Sequence, residues 1–248
     1  MKARNRLNKV ISKSRYRLHK LPLGANLFES DILQLEFEYV LAHRLMRADD
    51  FFFVQVGAND GVTNDPIYNL VTNHALSGIV IEPLPDLFAK LRSNYRNYPQ
   101  VTAVQKALHR TASQVTIYRV DPDSPQAPAS AQGKASLSRE HLLKWKHRIA
   151  NLDELIVEQS VPSQTLMELL GEHQVSRVDL LQIDVEGYDF EVIKMIDFAT
   201  LKPAIIRYEC QHLSKSDIES CLELLTSHGY KFLFEKRDTT AYLADSAP

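Results

Sequence analysis

Residues 51–56, Phe-Phe-Phe-Val-Gln-Val, form an apolar run that ends abruptly at Gly57-Ala58-Asn59-Asp60-Gly61. A run of this kind reads as a strand buried on both faces. Such a strand belongs to a sheet covered by helices on either side. The same alternation then repeats along the chain. Helical periodicity marks 31–47, 65–74, 86–95, 141–149, 164–173, 190–196 and 215–228. Strand patterns mark 78–81, 101–107, 114–120, 156–161, 177–183 and 204–208, and 231–234 with 239–243 read as an antiparallel hairpin. Asp65 before Pro66 signals one helix start, and Ser163 reads as the cap of another. Residues 121–136, rich in Pro, Ser, Ala and Gln, read as an irregular loop suited to a lid. The prediction is an α/β fold with a mainly parallel sheet. In such folds ligands bind beyond the carboxyl ends of the strands, where strand order reverses.

Composition narrows the classes. With 31 acids against 29 Lys and Arg, the net charge is −2, which argues against nucleic acid as a partner. The two cysteines, Cys210 and Cys221, lack metal-ligand spacing and make no disulfide framework, so a reducing, cytoplasmic setting is expected. No apolar run is long enough to span a membrane, and no apolar stretch follows the basic N-terminus as a secretory signal would require. Residues 1–20 carry eight basic residues and no acid. They read either as an amphipathic arm touching anionic membrane or as a solvated extension. The short apolar face without Trp or Phe favours the extension.

The strand ends carry the chemistry. Gly57 and Gly61 allow a sharp turn and close approach of backbone to a ligand, and the exposed N–H groups suit a carboxylate or phosphate. Glu82 ends the strand 78–81, where an acid accepts hydrogen bonds from ribose hydroxyls, and Pro83 and Leu84 offer an apolar wall for adenine. Asn59 stands where a dinucleotide fingerprint has its second glycine, which disfavours NAD or FAD and favours a nucleoside ligand without pyrophosphate, such as S-adenosylmethionine. Asp184 and Glu186 lie at the end of the strand 177–183, placed to steer a nucleophile, hold a divalent cation or contact the cofactor. Glu209 and His212, after the next strand, are acid–base candidates.

The segments FFFVQVGANDG, GIVIEPLPDLFAKLRSNY, DLLQIDVEGYDFEVIKMIDF and PAIIRYECQHLS resemble the FkbM family of S-adenosylmethionine-dependent methyltransferases, over roughly residues 51–213. The resemblance implies a Rossmann-like class I methyltransferase fold with a seven-stranded sheet and a C-terminal antiparallel hairpin. It implies O-methylation of a hydroxyl on a sugar, glycan or other natural product. By the same resemblance Gly57, Asn59 and Gly61 form the cofactor loop, Glu82 holds the ribose, and Asp184 and Glu186 belong to the IDVEG signature. Gln55 or Val56, and Gln182, depart from the family, whose members often carry Asp and Lys there. On this reading residues 1–50 are a basic extension and helix, and 51–248 are the methyltransferase domain.

The expected reaction is direct displacement by the acceptor oxygen. A base takes its proton, with Asp184, Glu209 and His212 as candidates, or a metal lowers its pKa. The rival is a noncatalytic nucleotide- or glycan-binding module on the same fold.

Overall fold

A computed structural model describes residues 30–128, 131, 133–149 and 151–243 of the chain. The basic arm 1–20 lies outside the described residues. In chain order the elements are α1 (Ser30–Leu45), β1 (Phe52–Val56), α2 (Tyr68–Asn73), β2 (Ser77–Ile81), α3 (Pro85–Asn94), β3 (Val101–Val104), β4 (Ala107–Leu108), β5 (Gln114–Val120) and β6 (Ala135–Ser136). There follow α4 (Arg139–Leu143), a 3₁₀ turn (Lys144–His147), α5 (Leu152–Leu155), β7 (Ile156–Gln164), α6 (Leu166–Glu172), β8 (Leu180–Ile183), α7 (Asp189–Ile193), β9 (Ile205–Glu209), α8 (Lys215–Ser227), β10 (Tyr230–Phe234) and β11 (Asp238–Leu243).

Seven strands form one sheet in the order β10-β11-β9-β8-β1-β2-β3. Strands β9, β8, β1, β2 and β3 pair in parallel, and β11 runs antiparallel to both β9 and β10. This is the class I methyltransferase arrangement, with the C-terminal hairpin expected from the sequence. The order reverses at β1, which has β2 on one side and β8 on the other.

Alternation along each strand sorts the core. Val54, Val56, Ile79, Ile81, Leu181, Ile183, Ile206 and Tyr208 point to the face covered by α6, α7 and α8. Phe53, Val80, Leu180 and Ile205 point to the other face, against α1, α2 and α3. Phe37, Val40 and Leu41 are buried there, so α1 is packed into the domain. Among the described residues no helix is long and apolar enough to cross a membrane.

Several elements differ from the sequence reading in instructive ways. Asp65 is not the N-cap: it accepts hydrogen bonds from Ile67 N and Tyr68 N at 2.7 and 2.8 Å, but the cap position is Ile67 and the helix starts only at Tyr68. Ser163 is not a cap. It sits in β7, its hydroxyl donating to Ala112 O, while Thr165 and Glu168 make a reciprocal capping box for α6. The span 101–107 breaks after Val104, and Ala107–Leu108 joins a second sheet, β4-β7-β5-β6. That sheet is held by the long antiparallel pairing of β5 with β7, from Gln114↔Pro162 to Val120↔Ile156.

One buried charge ties the helix layer to the sheet. Asp179, fully buried just before β8, accepts Arg44 Nε and Nη2 at 2.8 and 2.6 Å, and its other oxygen accepts Phe52 N at 2.9 Å. Asp179→Ala strands the Arg44 guanidinium and a strand-end N–H, and urea unfolding is expected to show a loss of about 3–5 kcal/mol.

Candidate active site

The register of the parallel strands brings the strand-end residues to one row. Val56 is level with Ile81 of β2 and Ile183 of β8, and Ile183 is level with Tyr208 of β9. The next residues are Gly57, Glu82, Asp184 and Glu209. Gly57 N and Ala58 N both donate to Ile81 O, so the chain turns over the end of β2 at once. The turn needs positive φ at Gly57 (+78°), and a Cβ there would lie 1.9 Å from Asp184 O. Gly57 is therefore required by the neighbouring backbone of β8. Gly61 faces away from the cleft: a Cβ would strike Leu91 Cδ1 at 2.5 Å and Tyr95 Cε2 at 2.8 Å on α3. It lets the loop lie down on α3.

Glu82 is buried, and both its oxygens accept backbone N–H groups: Oε2 from Asn59 at 2.9 Å and Oε1 from Leu84 at 3.0 Å. Burial pushes its carboxyl up to about 7, against the pull of those two N–H groups and of Arg119. Each oxygen keeps a lone pair for a further donor. Asn59 is held left-handed (φ 51°), with its amide against Gly133 of the 121–136 loop.

A cavity of about 350 Å³ lies along this row, within the usual range of roughly 300–1,000 Å³ for small-molecule sites. Its lining changes across the sheet edge. At the β2 and β3 side it is apolar: Leu84, Leu87, Ala107, Leu108, Ile117 and Leu137. Glu82 lies in the middle, and Gln55, Asp65, Gln182 and Asp184 stand at the β1 and β8 side. Gln55 Nε2 donates to Asp65 Oδ2 at 2.8 Å, while Gln55 Oε1 and Gln182 Oε1 are buried with no hydrogen-bond partner.

Asp184 opens its carboxyl to this cleft. The enclosing walls, with Glu186 and Asp238 nearby, push it up to about 7. Glu209 is buried, and burial together with Asp184, Glu186, Asp189 and Asp238 raises it to about 9. Beneath them Asp189, fully buried and raised to about 8 by burial and by Asp184, accepts Glu209 N at 3.1 Å and Gly187 N at 3.3 Å.

Glu186 is half-buried in a left-handed conformation (φ 50°). Its Oε2 is 3.3 Å from His212 Nε2 and 3.8 Å from His141 Nε2, and its Oε1 is 3.9 Å from Lys134 Nζ. Burial works to raise its pKa, but His141, Lys134 and His212 outweigh burial and hold it below its ordinary value. His212 also lies 3.6 Å from Glu209 Oε2, and burial lowers its pKa against the pull of Glu186.

A second cavity, of about 640 Å³, opens on the other side of Glu186. It is lined by His109, Tyr118, Ser138, His141, Lys144 and Tyr188, among others. The two cavities share Ser136, Leu137, Glu186 and Tyr188.

Of the residues singled out from the sequence, Gly57, Asn59, Glu82, Pro83, Asp184, Glu186 and Glu209 line the first cavity. His212 joins them through Glu186 and Glu209. Gly61 stays outside it, packed against α3. His141, Tyr188, His109 and Lys134 were not legible as site residues. His141 and Lys134 arrive from the segment between β5 and β7, whose place depends on a long-range strand pairing.

The methyltransferase FkbM domain matches residues 55–232 of this chain. Methyltransferase 1 of Beauveria bassiana (strain ARSEF 2860) is 28% identical over 201 residues, covering 77% of this chain and 76% of that protein. Among solved structures, precorrin-6y C5,15-methyltransferase from Geobacter metallireducens GS-15 superposes with a TM-score of 0.40 at 16% identity, covering 88% of this chain and 92% of that one. The N-terminal domain of human METTL16 gives 0.46 at 13% identity, covering 96% and 79%.

Gly57→Ala tests the turn itself. The added methyl meets the backbone of β8 and must be accommodated at positive φ. A loss of at least about 2–3 kcal/mol in chemical unfolding is expected, whereas Gly171→Ala, where a Cβ meets nothing within 4 Å, should leave stability unchanged or slightly raised.

Proposed function

The chain belongs to the FkbM methyltransferase family, and from that premise we propose that it is an S-adenosylmethionine-dependent O-methyltransferase acting on a hydroxyl of a sugar, a glycan or a similar polar natural product. The observation that carries this reading is the pair of cavities meeting at Glu186, one graded from apolar to polar and the other lined by aromatic and short polar side chains.

The first cavity fits the cofactor. Its apolar end suits adenine. Glu82 stands where ribose hydroxyls would donate to it. The unpartnered Gln55 Oε1 and Gln182 Oε1 suit the α-ammonium of the methionine moiety. Bound there, S-adenosylmethionine supplies a methyl group already activated as a sulfonium. The chain's own work is to hold, orient and dry the reactants.

The second cavity suits the acceptor. His109 and Tyr188 stack at 5.7 Å with an 11° interplanar angle, and Tyr118 adds a further ring. Aromatic faces take the C–H faces of a sugar ring, while Ser138, Glu140 and Lys144 answer hydroxyls at its rim. The hydroxyl to be methylated must lose a proton as it attacks. Among Asp184, Glu209 and His212, Asp184 is the exposed one, and it acts as the base. Glu209 lines the same cavity but is buried, and burial raises it to about 9.

The decisive experiment offers the purified chain S-adenosylmethionine and a panel of hydroxylated glycans and measures S-adenosylhomocysteine. No turnover with any hydroxylated acceptor, in a protein that binds the cofactor, would overturn the acceptor class.

Two variants test the roles. Glu82→Gln keeps the bond to Leu84 N and removes the charge. Calorimetry is expected to show cofactor binding weakened by about tenfold or more, since a hydrogen bond to a charged group contributes roughly 1.5–3 kcal/mol. The charged groups facing Glu82 are Arg119 and Asp86. Only the ionised Glu82 accepts two ribose hydroxyls, so wild-type affinity should rise as pH climbs through about 7, and that rise should vanish in Glu82→Gln. Asp184→Asn should slow methyl transfer by about 10²–10⁴-fold while cofactor affinity changes little. A fall in turnover matched by an equal fall in affinity would make Asp184 a cofactor ligand instead.

A further inference from the structure

We propose that His141, Glu186 and His212 form a binding site for a divalent first-row transition-metal cation, on the wall between the two cavities. Their ligand atoms, two imidazole nitrogens and one carboxylate oxygen, all lie within 4.8 Å of one another. The two histidine–glutamate separations are 3.8 and 3.3 Å. Ligands bound at about 2.0–2.2 Å sit roughly 3.0–3.5 Å apart around a tetrahedral or octahedral ion, so closing the trio onto a cation takes small side-chain shifts. Two histidines and one carboxylate, with further positions open, is a recurrent set for divalent iron and zinc.

An independent observation points the same way. His141 is only 7% exposed, yet its Nε2 is buried with no hydrogen-bond partner, as is Glu186 Oε2. Both atoms face into the same small space. The two face each other at 3.8 Å, beyond hydrogen-bond reach, and His212 meets the same oxygen only as an ion pair at 3.3 Å, so a cation bridging them would replace the missing hydrogen bonds. The rings of His141 and His212 stand edge to face at 87° with centroids 4.4 Å apart, so their nitrogens converge without the planes stacking.

The surroundings are arranged for this approach. Ser138 caps α4 by accepting His141 N at 3.1 Å, which fixes the helix that carries the histidine. Gly187, at φ +99°, leaves room for the ring: a Cβ there would lie 3.1 Å from His141 Nδ1. Ser136 Oγ donates to Glu186 O at 3.0 Å and pins the left-handed turn that presents the carboxylate. Lys134 approaches the other oxygen, Oε1, and leaves Oε2 to the histidines. The ligand set is also selective. Imidazole suits zinc, copper, iron and nickel, while magnesium, calcium and manganese prefer oxygen donors.

The site stands on its own geometry, but its use in catalysis rests on the methyl-transfer reading. There, a cation beside the acceptor cavity would polarise the hydroxyl that Asp184 deprotonates.

The test uses the full chain without a histidine tag, stripped with a chelator, dialysed and titrated with Co²⁺ under visible absorption. One Co²⁺ per chain is expected, with ligand-field bands of nitrogen–oxygen coordination, displaced by Zn²⁺ and not by equimolar Mg²⁺. His141→Ala and His212→Ala should each weaken Co²⁺ binding by at least about tenfold, the scale on which even outer-shell changes act. Gly187→Ala, which crowds the His141 ring without removing a ligand, should weaken it too. Binding of S-adenosylhomocysteine to His141→Ala, followed by calorimetry, should match wild type. That arm separates the two ideas: its absence in wild type would sink the cofactor assignment and leave the metal result untouched. Folded wild-type protein that takes up no stoichiometric Co²⁺ or Zn²⁺, or that binds them equally well after both histidine substitutions, overturns the site.

Discussion

Hydrogen bonding in a parallel sheet leaves neighbouring strands no freedom in where they end once the register is set. Here Val56 is locked level with Ile81 on one side and Ile183 on the other, and Ile183 with Tyr208. Gly57, Glu82, Asp184 and Glu209 must therefore leave the sheet side by side, one strand spacing apart. The remaining features of the first cavity follow. The chain can turn over β2 only because Gly57 has no side chain to meet Asp184 O. Glu82 can clamp Asn59 N and Leu84 N together only because both loops start from the same level. A slip of one residue in β1 would exchange its two faces and separate all four.

That dependence explains what could be read from the residues and what could not. Strands buried on both faces appear as short apolar runs, and the residue after each run is the one that meets the cleft. Gly57, Glu82, Asp184 and Glu209, which line the first cavity, were therefore legible in the sequence. Gly61 shares the loop and the residue type with Gly57, but its contacts are with Leu91 and Tyr95 of α3. Sequence spacing cannot say which side of a loop a glycine serves. Helix starts were readable in chemistry and less so in position: Asp65 accepts Tyr68 N but stands two residues before the Ile67 cap. The second sheet was legible only as separate strands. Its assembly rests on β5 meeting β7 across the whole 121–155 insertion, a non-local pairing with no local signature. His141 rides on that insertion in a helix of five residues, too short to show a periodicity.

The row Gln55, Gln182 and Arg207 shows how the same register shapes the floor of the site. Gln55 pairs with Gln182, and Gln182 with Arg207, so three polar side chains cross the sheet on the face otherwise filled by Phe53, Leu180 and Ile205. Arg207 Nη2 pairs with Glu235 and Asp238 at 2.6 and 2.8 Å, and its guanidinium lies over the ring of Phe37. Its Nε and the two glutamine oxygens are buried with no hydrogen-bond partner. A neutral amide oxygen offers an acceptor without adding to the acids already crowded at this end of the sheet.

Burial raises the carboxyls of Asp184, Asp189 and Glu209, and neighbouring acids add to it: Glu186 and Asp238 on Asp184, Asp184 on Asp189, and all four on Glu209. Such a group of acids destabilises a fold unless backbone donors, cations or protons compensate. Some compensation is present: Asp189 takes two backbone N–H groups, and Lys134, His141 and His212 surround Glu186. Three left-handed non-glycyl residues, Asn59, Asn64 and Glu186, line the first cavity. Strained backbone and unsettled charge are each unfavourable for stability alone. Their coincidence at one edge of the sheet, between two cavities, is what a binding and proton-transfer site requires. Raised to between about 7 and 9, Asp184, Asp189 and Glu209 are held largely as neutral acids near neutral pH, so protons supply much of the compensation, and a ligand that brought positive charge, as the proposed sulfonium cofactor or the proposed cation would, could take their place.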